Sequence, residues 1–344
     1  MKKISYLILI LALTSSCTSM LYTSIDVLRP AKVSFDKSAK NLLIINNTVM
    51  QPASYGHTNQ LLGEKKKNTS INTDSLAIFC LSVVNEEFQK KEFFEKTYLH
   101  LPTINSNGSF LIAKTPVRDS ILAFASTYNA DAILSLDKMK VNDQVSEYYD
   151  ENSAVYYALL EANYESTWSI SYPKLNKSTS FSFKDTIYWE KESYQRKKSL
   201  GALPDRYSAL IDGALHVGQT TIKKLVPWWD KEDRYFFMTN NKYIKQGMDS
   251  VYSKKWKSAI SIWEKGLPKA KSTLKAKLLH NIAIAYEISG DMNTAMEYAE
   301  KSTSTYTQGN LIDYNHFFTI NQYESQLKNR LAEIKKINEQ LGLE

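Results

Sequence analysis

The sequence predicts a mixed sheet with packed helices, of the α/β or α+β class, followed by an all-α domain of helical hairpins. Two observations carry the first half: apolar and polar residues alternate over most of Tyr156 to Tyr172, and helical-period stripes are interleaved with short apolar runs between residues 41 and 226. A third carries the second half: beyond residue 239 the apolar period is helical and similar spacings recur. A chain of 344 residues, 43% hydrophobic and 12% aromatic, has the apolar surface for two such bodies.

The first element is not part of the fold. Lys2 and Lys3 precede the apolar run Tyr6–Leu13, which is within the roughly 7–15 residues of a signal-peptide core and short of the roughly 20 needed to span a bilayer. The next residues, Leu13-Thr14-Ser15-Ser16-Cys17, resemble a lipobox, with Ser16 before the cysteine and Thr14 where such signals usually carry leucine. The resemblance implies loss of residues 1–16 and acylation of Cys17, palmitate included, and several acyl chains hold a protein durably on a membrane. Thr18-Ser19-Met20 carries no acidic residue. By analogy with lipoprotein sorting this implies the outer membrane, with the periplasmic side expected over the surface. Residues 17–40 are expected to form an acylated tether.

The α/β domain is placed at 41–226. Leu42-Leu43-Ile44-Ile45 before Asn46-Asn47 predicts a strand buried on both faces. Leu76, Phe79, Cys80, Val83, Val84 and Phe88 fall at helical spacing, with Thr73 or Asp74 as cap, and place Cys80 in the core as a small buried hydrophobe. A strand is expected at Thr97–Leu101, and a helix from Thr115-Pro116 through Tyr128. Ala130–Leu136 reads as a buried strand. In Tyr156–Tyr172 the inward set is Ala158, Leu160, Ala162, Tyr164, Trp168, Ile170 and Tyr172, and Pro173–Lys177 turns it into a second strand with Phe181, Phe183, Ile187 and Trp189. Tyr207 to Leu225 is a helix that Pro227 stops. The helix followed by Ala130-Asp131-Ala132-Ile133-Leu134 resembles the periplasmic domains of lipoproteins that serve curli secretion and that activate peptidoglycan synthases. That resemblance concerns fold alone.

Residues 227–238 form a junction, where Pro227-Trp228-Trp229 is expected to pack between domains rather than expose two indoles. From 239 to 344 the tail resembles TPR repeats. Tyr243, Gly247, Trp256, Ala259 and Trp263 form one unit, and Leu279, Ile282, Ala283, Tyr286, Gly290, Ala295 and Ala299 a second, with Ala259 and Ala295 thirty-six residues apart. Gln246 before Gly247, and Ala283, depart from the repeat pattern. Ile320, Tyr323, Leu327, Leu331, Ile334, Ile337 and Leu341 then predict a capping helix.

The formal charge is +7, or +5 once Lys2 and Lys3 are removed, a mild excess without any nucleic-acid-binding motif, so nucleic acid is not an expected partner. His57, His100, His216, His280 and His316 are scattered without ligand spacing, and neither a phosphate loop nor a nucleophile elbow occurs. No catalytic residue, metal site or cofactor is therefore predicted. Asp143, Glu147, Asp150 and Glu151 read as a solvated acidic loop, and Tyr55, His57 and Asn59 as a loop in which a ligand could sit after the first strand.

Taken whole, the lipobox, α/β domain, Pro-Trp-Trp junction and TPR-like tail resemble an uncharacterised lipoprotein family of the Bacteroidetes. The expected function is a membrane-anchored envelope scaffold or adaptor rather than an enzyme. It would hold membrane lipid through Cys17 and an envelope protein through a surface that includes Tyr243, Trp256, Trp263 and Tyr286. The alternatives are a small-ligand-binding or hydrolytic enzyme using the α/β domain, and a structural spacer between membrane and cell wall.

Overall fold

A computed structural model describes residues 20–105, 108–309 and 313–343; the expected signal segment and Cys17 lie outside them. The chain divides into two compact units, residues 31–227 and residues up to 30 together with 228 onward. The first is mixed α/β and the second mostly helical.

In the α/β unit, β2 (Asn41–Asn46) lies between β5 (Lys96–His100) and β6 (Ala132–Asp150), parallel to both. The second half of β6 takes β3 (His57–Gln60) on the same side as β2, with the short β4 (Lys67–Asn68) beyond it. On its other side β6 pairs with β7 (Val155–Tyr172), which pairs with β8 (Lys177–Ser193), both antiparallel. One face packs under α1 (Leu76–Lys91) and α4 (Arg206–Leu225), burying Leu42, Ile44, Leu134, Val141, Ala162, Tyr164, Trp168 and Ile170. The other is covered at one end by α2 (Arg118–Tyr128), over Leu43, Ile45 and Ile133. Burial on both faces is why β2 is continuously apolar. The alternation of β7 up to Trp168 follows from one face meeting α4 while the other stays open; from Trp168 to Tyr172 both faces are buried.

Cys80 is fully buried in this core and burial pushes its thiol up to about 12, the position of an inert side chain. Gly218 of α4 sits where a Cβ would be 2.7 Å from the Cys80 carbonyl, so the glycine sets the close approach of α1 and α4. Asp205 caps α4 by accepting from the Ser208 amide at 3.0 Å. The cap expected of Thr73 or Asp74 is not made: α1 follows Ser75 without a side-chain cap. The next helix starts at Arg118, two residues past Pro116, because Val117 is still extended.

The helical unit contains α5 (Lys242–Tyr252), α6 (Trp256–Gly266), α7 (Ser272–Ile288), α8 (Met292–Thr307) and α9 (Tyr314–Leu341). Two of its turns repeat: Lys254 between α5 and α6 and Gly290 between α7 and α8 are both left-handed, at φ 54° and 88°. Gly247 lets the first hairpin close, since a Cβ there would stand 2.0 Å from Trp263 Nε1. The glycine and the tryptophan of the repeat pattern are thus one packing contact.

This unit also holds a two-stranded ribbon that corrects the expected tether and junction. β1 (Met20–Arg29) pairs antiparallel with β9 (Trp228–Phe237), Met20 opposite Phe237 and Arg29 opposite Trp228. Leu21, Thr23, Ile25 and Val27 turn toward the helices while Tyr22, Ser24 and Asp26 turn out, an alternation hidden by mixed residue types. The same alternation places adjacent tryptophans on opposite faces, so Trp229 is 68% exposed instead of packed.

Polar groups on α7 and α9 seat the ribbon. Asn281 accepts from the Phe237 amide at 2.8 Å and donates to its carbonyl at 2.9 Å. Arg234 makes a two-point ion pair with Glu287, both bonds 2.7 Å, and the Tyr323 hydroxyl donates to Glu287 at 3.0 Å. His280 Nε2 meets the Tyr235 carbonyl at 2.9 Å, which makes it the donor, and Nδ1 is buried without a partner. Burial lowers His280 to about 4 from 6.5. As pH falls the unfolded chain therefore takes up this proton first. Its stabilising contribution is complete above about pH 6.5 and is lost toward pH 4, by roughly 3 kcal/mol. Denaturant titrations at stepped pH should show that loss in the wild type, and His280→Gln should flatten it; equal slopes in both would contradict the assignment.

Candidate functional site

The loop that carried the ligand expectation in the α/β unit is a strand. His57–Gln60 adds to β6 in parallel, His57 opposite Asp143 and Asn59 opposite Val145. The acidic stretch is likewise not a loop, because β6 continues to Asp150. Asp143 and Glu147 face the helix side of the sheet at positions where the alternating pattern calls for apolar residues.

Asp143 is the centre of a buried ionic cluster. One carboxylate oxygen meets His57 Nδ1, with both side chains wholly enclosed. The other accepts from Arg206 Nε at 2.5 Å, at the first turn of α4. Arg206 then reaches β3, donating to Asn59 Oδ1 at 2.6 Å and to the Thr58 carbonyl at 3.0 Å. Tyr164 lies nearby; burial raises its phenol, and its hydroxyl donates to the Leu210 carbonyl at 2.8 Å. Glu147 repeats the device one step further along β6: its carboxylate takes Arg196 Nη2 at 2.8 Å, and that nitrogen also donates to the Leu62 carbonyl at 2.8 Å.

These pairs clamp strand, loop and helix together. His57 is 1% exposed and its Nε2 is enclosed without a hydrogen-bond partner, so the imidazole does not face bound material. The expectation of a ligand contact through His57 is replaced by a positioning role. Gln51 completes the support where β6 passes from β2 to β3. Its side chain donates to the Tyr55 and Val141 carbonyls at 2.8 and 2.7 Å and accepts from the Val141 amide at 3.0 Å, serving as a missing strand partner.

On the opposite face, over this same region, lies a groove of about 470 Å³ whose polar lining includes Thr58, Asn68, Asn142, Gln144, Glu161 and Asn163, with Tyr55 at its edge. Several of its side chains are held by hydrogen bonds among themselves. Lys66 donates to Gln144 at 2.7 Å, Asn163 donates to Glu161 at 2.8 Å, and Thr186 donates to Asn163 at 2.7 Å. Gly56, at φ 87°, is required beneath it, since a Cβ would fall 2.3 Å from Asn142 Oδ1. Of the three residues named from sequence, Tyr55 alone lines this groove, while His57 and Asn59 serve the cluster behind the sheet. Asn142, Gln144, Glu161 and Asn163 were missed because a polar strand face reads as ordinary solvent exposure.

At the far end of the β6–β7 hairpin, Tyr148 and Tyr157 stack with centroids 4.8 Å apart and planes 8° from parallel. Tyr149 pairs with Tyr156 at 4.6 Å. Tyr148, Tyr149 and, just past the Ser193–Tyr156 pair, Tyr194 are exposed.

In the helical unit the four residues expected to offer a surface are mostly committed to packing. Trp263 is wholly buried, which corrects its assignment to a surface: the Gly247 crossing encloses it. Trp256 stacks on Phe236 at 6.4 Å, and Tyr286 on Tyr298 at 5.4 Å. Tyr243 receives Lys269 Nζ at 3.0 Å, which lowers its phenol, and Gly266 gives its ring room. Among the described residues no three His, Cys, Asp or Glu side chains are placed to hold a metal ion, and no helix is long and apolar enough to cross a membrane.

The fold defines a two-part chain, a mixed α/β unit followed by helical hairpins. It belongs to the family of the domain of unknown function DUF8603, which matches residues 39–237, and residues 245–329 match the domain of unknown function DUF6340. No curated protein matches the chain. Among solved structures it is similar to a neuraminyllactose-binding hemagglutinin homolog from Helicobacter pylori at 9% identity and a TM-score of 0.27, over 56% of this chain and 85% of that one. An uncharacterized protein is similar at 9% identity and a TM-score of 0.22, over 56% and 95%.

Proposed function

We propose that this chain is a cell-envelope lipoprotein of the Bacteroidetes type, anchored at the outer membrane through acylated Cys17, that acts as a protein-interaction scaffold or adaptor. The lipobox-like sequence supports the anchor. The observation that carries the adaptor role is the aromatic tip of the β6–β7 hairpin, with its stacked Tyr148 and Tyr157 and exposed Tyr149, and with the exposed Tyr194 beside it at the end of β8. Tyrosine is enriched at protein interfaces because it joins apolar area to a hydrogen-bonding end at small entropic cost. The helices contribute less contact surface than their repeat pattern implies, because α7 and α9 carry the chain's own strand β9.

A photo-crosslinking amino acid at position 148 or 194, in the native host, should give a defined protein adduct in the membrane fraction that the same substitution at Asn163 does not. Absence of any adduct specific to the tip would defeat the adaptor reading. Intact mass and membrane partition, compared between wild type and Cys17→Ala, decide the anchor separately.

The groove around Asn142 supports a second reading, a small polar ligand held by preset amides. Its test is thermal stabilisation of the full chain by soluble cell-wall saccharides, lost in Asn142→Ala; no stabilisation by any of them counts against it.

A further inference from the structure

One end of the helical unit gathers exposed rings from three segments that are distant in sequence. Tyr22 of β1 faces Tyr235 of β9 across the ribbon, their centroids 6.3 Å apart, and they are 64% and 47% exposed. Met20 ends the same strand and is also exposed. Phe237, its partner across the ribbon, meets the His316 ring at 5.3 Å, which brings the start of α9 to this end. There Tyr314 and Phe318 are 80% and 66% exposed. Elsewhere in the same ribbon, alternate residues turn inward: Phe236 is buried and Leu21 packs against the helical core. The outward rings are therefore left over after the core is complete. Exposed rings gathered at one end of a fold mark a contact surface.

The chain itself indicates what covers it. Cys17 is three residues before Met20. Three trans peptides span at most about 11 Å, so an acylated Cys17 would keep this end within that distance of the bilayer. Tyrosine rings prefer the depth of the headgroups, where the ring body is in apolar surroundings and the hydroxyl in water.

We propose that the end of the helical unit that carries Met20, Tyr22, Tyr235, Tyr314 and Phe318 lies on the lipid surface, so that the ribbon stands end-on and the acyl anchor and the rings together fix the orientation of the helical unit. This rests on the lipoprotein reading above, and it adds a lipid-binding surface distinct from the acyl chains. A single lipid attachment leaves a protein free to tumble; a second contact a few ångströms away removes that freedom.

The test uses the mature full-length chain with Cys17→Ser, which has no acyl group, and vesicles of phosphatidylcholine with phosphatidylglycerol. The unacylated chain should partition weakly onto the vesicles, and Tyr22→Ser/Tyr235→Ser/Phe318→Ser should reduce that partition by about tenfold. A circular dichroism spectrum shows whether the triple variant is folded. A single substitution guards against a folding failure: Phe318→Cys, carrying an environment-sensitive fluorophore, should shift to the blue on vesicles and be quenched by brominated lipid, whereas Trp229→Cys at the far end of the ribbon should not. Partition unchanged in the folded triple variant, a silent probe at position 318, or equal quenching at position 229 would each overturn the proposal. So would ring-dependent dimerisation of the unacylated chain without lipid binding, which would make the patch a contact between two copies. Because the vesicle assay contains no acyl group, failure of Cys17 acylation, read by intact mass, is a separate result.

Discussion

Replacing Arg234 by alanine should destabilise the helical unit by about 3–5 kcal/mol, the cost typical of leaving a buried charge without its partner. Arg234 and Glu287 have 1% and 3% of their side chains exposed and share two parallel hydrogen bonds. Removing the guanidinium leaves the Glu287 carboxylate with the Tyr323 hydroxyl, and Tyr323 already has its phenol raised well above the usual value by burial and by that carboxylate. Glu232, on the more exposed side, also pairs with Arg234 at 2.7 Å but keeps access to water and so loses less. The double variant Arg234→Leu/Glu287→Leu should recover most of the stability, because it leaves no unpaired charge in the site. The measurement is denaturant unfolding of the full chain, followed by the helical far-ultraviolet signal and resolved into transitions, since a chain with two units need not unfold in one step. A single variant as stable as wild type would show that the pair is solvated. A double variant less stable than Arg234→Ala would show that the ion pair itself, and not the avoidance of a lone charge, holds the ribbon.

Much of the architecture was legible from periodicity. The buried set of β7 follows the alternation read from Ala158 to Trp168, where one face of that strand meets α4 and the other stays open; beyond it Ser169 and Ser171, read as wet, are buried as well. Residues 42–45 are buried from both sides as their unbroken apolar run requires. Gly247 and Trp263 proved to be a pair.

Most of what periodicity missed has one physical cause: inward positions filled by polar or charged residues. β6 alternates through Met139 and Val141 and continues inward with Asp143 and Glu147, so a reading by hydropathy ends the strand where the charges begin. Their partners, Arg206 and Arg196, are 63 and 49 residues further along, a separation at which spacing carries no signal. In β1 and β9 the inward set includes Thr23 and Arg234, and the ribbon vanished into a supposed tether and junction. The groove was invisible for the opposite reason. Gln144, Glu161 and Asn163 look like any wetted strand face until their fixed hydrogen bonds are seen, and Asn142 beside them lines the same groove.

The α/β unit should respond to its own buried cluster in the same way and with one added consequence. Asp143→Ala removes the acceptor of both His57 and Arg206, whose side chains are 0% and 14% exposed, and is expected to cost about 3–5 kcal/mol. Asp143→Asn keeps the shape and one acceptor but meets His57 and Arg206 without a charge, and should cost about half as much. Arg206→Ala should separate two effects: it strands Asp143 with His57 alone, and it frees the Asn59 side chain and the Thr58 carbonyl that Arg206 holds. Hydrogen exchange read at Thr58, Asn59 and Gln60 should therefore rise more in Arg206→Ala than in Asp143→Asn, while amides of β2 stay protected in both. If β2 and β3 lose protection together, the cluster supports the whole sheet rather than the strand at its edge. If neither does, the charges are hydrated in solution and β3 is held by its backbone alone. In the first outcome the groove loses its floor along with the fold; in the expected one it loses order only where Thr58 and Tyr55 enter it. That difference makes this variant a direct way to vary the groove without touching the residues that line its far wall.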